Sequence, residues 1–126
     1  MSEPLYPKPD AKHFFDDLTA DYANNVAFET TIWDLKLIFG EYSDQDKAVE
    51  WHTSMTIPWA QAKLLQYYLQ INIEAYEAEH GKVRVPSSML PLEQPPPPSE
   101  SETPLNKMVY EIVRRHREKF IQELKT

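Results

Sequence analysis

His52 stands between Glu50 and Ser54 in the run VEWHTSMTIP, where polar and apolar residues alternate, so the three side chains are expected on one face of a strand. A carboxylate beside an imidazole is the arrangement that tunes a general base. An ordinary solvent-facing strand has the same pattern, and nothing completes a catalytic set around it: there is no Gly-rich loop, no nucleophile elbow and no second His at ligand spacing. His13, His80 and His116 are isolated, and His80 next to Gly81 fits a helix end, where an imidazole meets the terminal carbonyls and the dipole. Asp10, Asp16, Asp17 and Asp21 gather acidic oxygens, but their spacing lacks the central Gly and final Glu of a calcium loop, and a solvated acidic turn is expected instead. With no cysteine, disulfides, thiolate metal sites and cysteine nucleophiles are excluded. The expectation is a protein that is not an enzyme, with no catalytic residue, no cofactor and no bound metal.

Surfaces carry more of the signal than reactive groups do. Trp33, Trp51, Trp59, Tyr67 and Tyr68 could form a stacking or peptide-binding surface, although core and interface packing accounts for them as well. Near the C-terminus, Leu105, Val109, Ile112, His116, Phe120 and Leu124 recur at helical spacing, with Met108, Val113 and Ile121 beside them. The other side of that helix carries Lys107, Arg114, Arg115, Arg117 and Lys119. An amphipathic basic helix can dock a protein partner, bind phosphates or lie on an anionic membrane. Docking ranks first, because Glu111, Glu118 and Glu123 dilute the charge and the net charge of −7 repels polyanions. The expected partner-binding residues are Leu105, Val109, Ile112, Phe120 and Leu124 buried in a groove, with Arg114, Arg115 and Arg117 setting orientation.

The elements that would position these groups follow from periodicity. PWAQAKLLQYYLQINIEAYEAEHG reads as a long helix, with Pro58 at its first position and Gly81 in the left-handed position past its end. Leu65, Leu69, Ile73 and Tyr76 form one apolar stripe, and Leu64, Tyr68, Ile71 and Ala75 a second. The combined face is broad enough to lie across a small sheet. Before it, Val26, Phe28 and Ile32 alternate with Ala27, Glu29 and Thr31; Leu35, Leu37 and Phe39 alternate with Lys36 and Ile38; and Val49, Trp51, Thr53, Met55 and Ile57 alternate with the polar residues around His52. These predict three antiparallel strands, with Gly40 ending or bulging the second, and Val83 and Val85 offer a fourth at an edge. The fold class is therefore α+β: a small antiparallel sheet of three to four strands packed on one long helix, plus a tethered C-terminal amphipathic helix. The organisation expected is an N-terminal arm over residues 1–21, partly disordered, whose KHFFDDLTADY stretch either forms a turn of helix or tucks Phe14, Phe15 and Leu18 against the domain, then a sheet-helix module over 22–86, a Pro-rich linker over 87–103 and a C-terminal helix over 104–126. Thr103-Pro104 supplies a capping residue and a proline for the start of that last helix.

YANNVAFETT, LIFGEY and MTIPWAQAKLLQYYLQINIEAYEAEHGKVRVP together resemble a family of small uncharacterised bacterial and archaeal proteins, domain of unknown function three-four-six-seven. Tyr22 to Asn24, Phe39-Gly40, Pro58, Ala62-Lys63, Tyr76-Glu77 and Gly81 carry the resemblance, which spans residues 22–86. Where that family places Ser or Thr before the proline, this chain has Ile57, so the usual cap on the helix is missing from its place. The resemblance implies an antiparallel sheet covered by a helix, and the order of elements is similar to that of SecB-like export chaperones. Neither likeness implies catalytic residues.

Ile38, Tyr67, Tyr68 and Ile71 exceed what one helix on one sheet needs, and a small sheet with open edges favours a symmetric homodimer. No apolar run is long enough for a membrane span and no basic n-region precedes an apolar core at the start, so a cytoplasmic protein is expected. The function expected is a non-catalytic oligomeric protein-interaction module with a partner-docking C-terminal helix. The alternatives are a SecB-like chaperone or single-stranded nucleic-acid-binding surface, although nucleic acid is disfavoured by charge, and an uncharacterised enzyme.

Overall fold

The computed structural model describes residues 18–91 and 96–125. Most of the N-terminal arm, with Phe14, Phe15, Asp10, Asp16 and Asp17, therefore lies outside the described residues. The fold is α+β, as the periodicities predict: strand β1 (Asn25–Thr30), strand β2 (Asp34–Ser43), strand β3 (Ala48–Pro58), helix α1 (Trp59–His80), a single 3₁₀ turn (Ser87–Met89) and helix α2 (Pro104–Lys125). The strands form one antiparallel sheet in the order β1-β2-β3. Val83 and Val85 add no fourth strand, and the chain between Gly81 and Pro86 has no regular structure. The chain divides into two compact units, one ending at His80 and one beginning at Gly81.

In the first unit, register sets the faces. Val26 pairs with Phe39 and Phe28 with Leu37, while Leu37 pairs with Met55 and Leu35 with Ile57. Paired residues share a face, so Val26, Phe28, Leu35, Leu37, Phe39, Met55 and Ile57 form one apolar side. Ala27, Glu29, Lys36, Ile38, Ser54 and Thr56 lie on the other.

The turn between β1 and β2 is built on Thr31. Its hydroxyl accepts the N–H groups of Trp33 and Asp34, both at 3.0 Å, and donates to Asp34 Oδ1 at 2.9 Å. That turn lifts Ile32 and Trp33 clear of the sheet, at 83% and 77% exposure, so Ile32 does not continue the buried alternation. At the other end, Asn24 Oδ1 accepts the Tyr42 N–H at 2.9 Å and ties the entry of β1 to β2.

Gly40 does not end β2, which runs three residues further, to Ser43. It sits at a bulge, where pairing steps from Phe39–Thr53 to Gly40–Trp51. The step moves Trp51 and Val49 to the face opposite Thr53, Met55 and Ile57, correcting the uninterrupted alternation expected for that strand. Trp51 is now laid over Gly40: a Cβ there would stand 2.7 Å from Trp51 Cε3 and 2.8 Å from the Glu50 carbonyl oxygen. Glycine is the residue this crossing admits.

Helix α1 follows β3 with no intervening loop. Pro58 is the last strand residue and the helix begins at Trp59, one position later than the sequence reading places it. The Trp59 indole N–H donates to the Thr31 carbonyl at 2.9 Å, fixing the helix start against the β1–β2 turn. Gly81 adopts φ +90°, the left-handed conformation expected past a helix end.

Burial is where the structure departs from expectation. Leu37 is the single buried hydrophobic residue among those described. No residue of α1 is buried, so the helix does not seal the apolar sheet face as a two-layer packing would.

Candidate interaction surfaces

The first surface is the apolar side of the sheet. Only its centre is enclosed: Leu37 is buried and Leu35, Phe39 and Ile57 are half-buried. Toward the flanking strands Val26, Phe28 and Met55 stand 49%, 59% and 58% exposed. Alternation places these residues on one face correctly, but it carries no information on what covers that face.

The second surface is the α1 stripe. Leu65 is half-buried, whereas Leu69, Ile73 and Tyr76 further along are 51%, 51% and 54% exposed. The aromatic residues do not form one platform. Trp33 and Trp59 belong to the Thr31 end of the sheet, Trp51 covers Gly40, and Tyr67 and Tyr68 contact each other edge-on at 5.2 Å on the helix. At the helix end the His80 ring packs on Tyr76, with ring centroids 4.7 Å apart.

His52 is the extra residue in the bulge, and its partners differ from those its spacing suggests. Its Nε2–H donates to the Tyr22 carbonyl at 3.0 Å, and Nδ1 meets Thr53 Oγ1 at 2.7 Å. Thr53 Oγ1 in turn donates to Asp21 Oδ2 at 3.2 Å. Glu50 takes no part in this chain of contacts. The arrangement straps residues 21–22 onto β3 on an exposed surface. Among the described residues no group of three or more acidic or His side chains could hold a metal ion.

The third surface belongs to the second unit. Thr103 caps α2 as its sequence predicts, its hydroxyl accepting the Asn106 N–H at 3.1 Å. Along the helix Tyr110, Arg114, Arg117, Ile121 and Leu124 are half-buried, spaced by four and three residues. The preceding chain runs antiparallel along the helix: Val83 to Pro86 border a groove with Leu124, Pro91 borders one with Ile112, Val113, His116 and Phe120, and Pro96 and Pro98 border one with Leu105, Val109 and Tyr110. Lys82 Nζ donates to the Glu123 carbonyl at the far end. Extended proline-rich backbone, with few N–H groups needing partners, suits such a strap.

The eight residues expected to bind a partner are thus divided. Leu105, Val109, Ile112 and Phe120 remain exposed, with Met108 and Val113 beside them, while Leu124 is half-buried on the other stripe. Arg115 is exposed. Arg117 is half-buried on that stripe, beside the basic groove that includes Lys119 and Lys125. Arg114 is engaged within its own helix, meeting Glu111 at 2.8 Å and both oxygens of Glu118 at 3.1 Å. The hydrogen bonds and charge of Glu111, followed by those of Glu118, raise the pKa of its guanidinium above the usual arginine value. No described helix is long and apolar enough to cross a membrane.

The described residues of this α+β chain thus combine one enclosed hydrophobic side chain with apolar surfaces left open on the sheet, α1 and α2. In comparison with known proteins, no family model, no curated protein and no solved structure matches this chain.

Proposed function

We propose that this protein is a non-catalytic, homo-oligomeric interaction module whose C-terminal helix docks a protein partner. The observation that carries the reading is the contrast between Leu37, alone in being buried among the described hydrophobic residues, and the open apolar residues of the sheet, α1 and α2. Burial of apolar area is the dominant favourable contribution to folding, at about 25 cal/mol per Å². A described core of one buried side chain leaves that contribution to be completed against another chain.

On α2 the docking residues are Leu105, Val109, Ile112 and Phe120, with Arg115 on the adjoining surface free to meet an acidic rim. Arg114 supports the helix through its two carboxylates, and Leu124 holds the strap side. The test is the full chain carrying Ile112→Asp and Phe120→Asp. Helical circular dichroism and the size of the oligomer are expected to persist, because both residues are exposed, while capture of a partner protein falls. Unchanged capture would contradict the docking role of α2.

A further inference from the structure

We infer that the open sheet face is covered by helix α1 of a second copy of this chain, and reciprocally, in a two-fold symmetric dimer. The inference rests on the oligomeric reading above and specifies which surfaces meet.

Three observations lead to a second copy. First, the two uncovered surfaces of the first unit suit each other. One is the sheet side bearing Val26, Phe28 and Met55, and the other is the α1 stripe bearing Leu69, Ile73 and Tyr76. The sheet patch extends ~13 Å along the strands from Leu35 to Phe39, at about 3.3 Å per residue. The helix stripe from Leu69 to Tyr76 extends ~11 Å, at 1.5 Å per residue. Second, this side stays incompletely covered within one chain. None of the residues of α1 is buried, and Val26, Phe28 and Met55 remain 49%, 59% and 58% exposed. Third, the area is that of a stable dimer. Aromatic side chains such as Phe28 and Tyr76 bury about 150–250 Å² each and the four aliphatic ones somewhat less, so the six at roughly half exposure leave on the order of 500 Å² of apolar surface per copy. A standard interface takes about 800 Å² from each partner and is roughly 60% apolar, which corresponds to about the same apolar area.

Reciprocal exchange follows from symmetry: when the helix of one copy lies on the sheet of the other, a two-fold axis places the second helix on the first sheet. Each pairing encloses Phe28 and Met55 beneath Leu69 and Ile73.

The absence of native cysteine makes the geometry directly testable by cross-linking. Met55→Cys and Ile73→Cys are made in separate full-length chains carrying different tags, mixed under conditions that allow subunit exchange, and oxidised with glutathione. A second pair, Phe28→Cys with Leu69→Cys, is run in parallel, and far-UV circular dichroism verifies that each variant is folded. The expected result is a disulfide-linked heterodimer in each mixture, with little covalent dimer from any variant alone. Homodimers of Met55→Cys would mean sheet-on-sheet stacking, and homodimers of Ile73→Cys would mean helix pairing; either overturns the inference. A non-covalent dimer that cross-links in neither mixture also overturns it while leaving the oligomeric reading intact. A monomer at every concentration overturns both, whether or not it binds reduced, carboxymethylated polypeptide on the open sheet face.

Discussion

Gly40→Ala isolates the contact on which the sheet's bulge depends. The added Cβ would stand 2.7 Å from Trp51 Cε3, 2.8 Å from Val49 Cγ1 and 2.8 Å from the Glu50 carbonyl oxygen. Carbon atoms at rest are about 3.5–4.0 Å apart, so each neighbour must retreat by most of an ångström. Val49 can turn about χ1 and the Trp51 ring can tilt, but the Glu50 oxygen belongs to the backbone of β3 and moves only if the strand does. Overpacking of this kind costs about 1–3 kcal/mol, and the backbone clash places Gly40→Ala toward the upper end, at ~2–3 kcal/mol. Urea unfolding at fixed protein concentration reads the effect: with a slope of about 1–2 kcal/mol per molar, the midpoint should fall by ~1–3 M with the slope unchanged. Adding Trp51→Ala to the glycine variant should recover only part of the loss, because the Glu50 contact remains. Gly40→Ala within ~0.5 kcal/mol of the parent would refute the placement of Trp51 over the glycine, since surface substitutions ordinarily fall in that range.

Two further substitutions probe the local devices. Thr31→Val keeps the shape of the turn but removes a hydroxyl that accepts two backbone N–H groups and donates to Asp34; a loss of about 1–3 kcal/mol in urea unfolding is expected, and an unchanged midpoint would show that the turn does not depend on it. Thr103→Ala removes the acceptor for the Asn106 N–H and should cost about 1 kcal/mol, seen as a lower melting temperature of the α2 helix signal, whereas Thr103→Asp should hold it.

The strands and helices were legible in the sequence because their periodicities follow from backbone geometry. Phe28, Leu37 and Met55 alternate with Glu29, Lys36 and Thr56, and the register puts each set on its own side. Thr103-Pro104 and Gly81 marked their helix ends for equally local reasons. Gly40 marked an end or a bulge, but alternation could not show that the extra residue falls at His52 on β3 and shifts Trp51 to the other face. Nor could periodicity show whether α1 covers its own sheet, because an apolar stripe states that burial is needed and not where it occurs. The strap along α2 was hidden for a different reason. Proline-rich composition reads as a spacer, yet its rings border the grooves along Leu105, Val109, Ile112 and Phe120. Of the residues expected to bind a partner, the exposed apolar set was found by spacing. The engagement of Arg114 was signalled by Glu111 and Glu118 three and four residues away, and passed over.

The central claim is that these apolar surfaces are completed by another chain. Its most direct test is the absolute mass of the full-length protein by light scattering across a range of micromolar concentrations. A folded species with the mass of two or more copies, constant over that range, is the result predicted. A folded monomer of 14.8 kDa at every concentration would contradict the account.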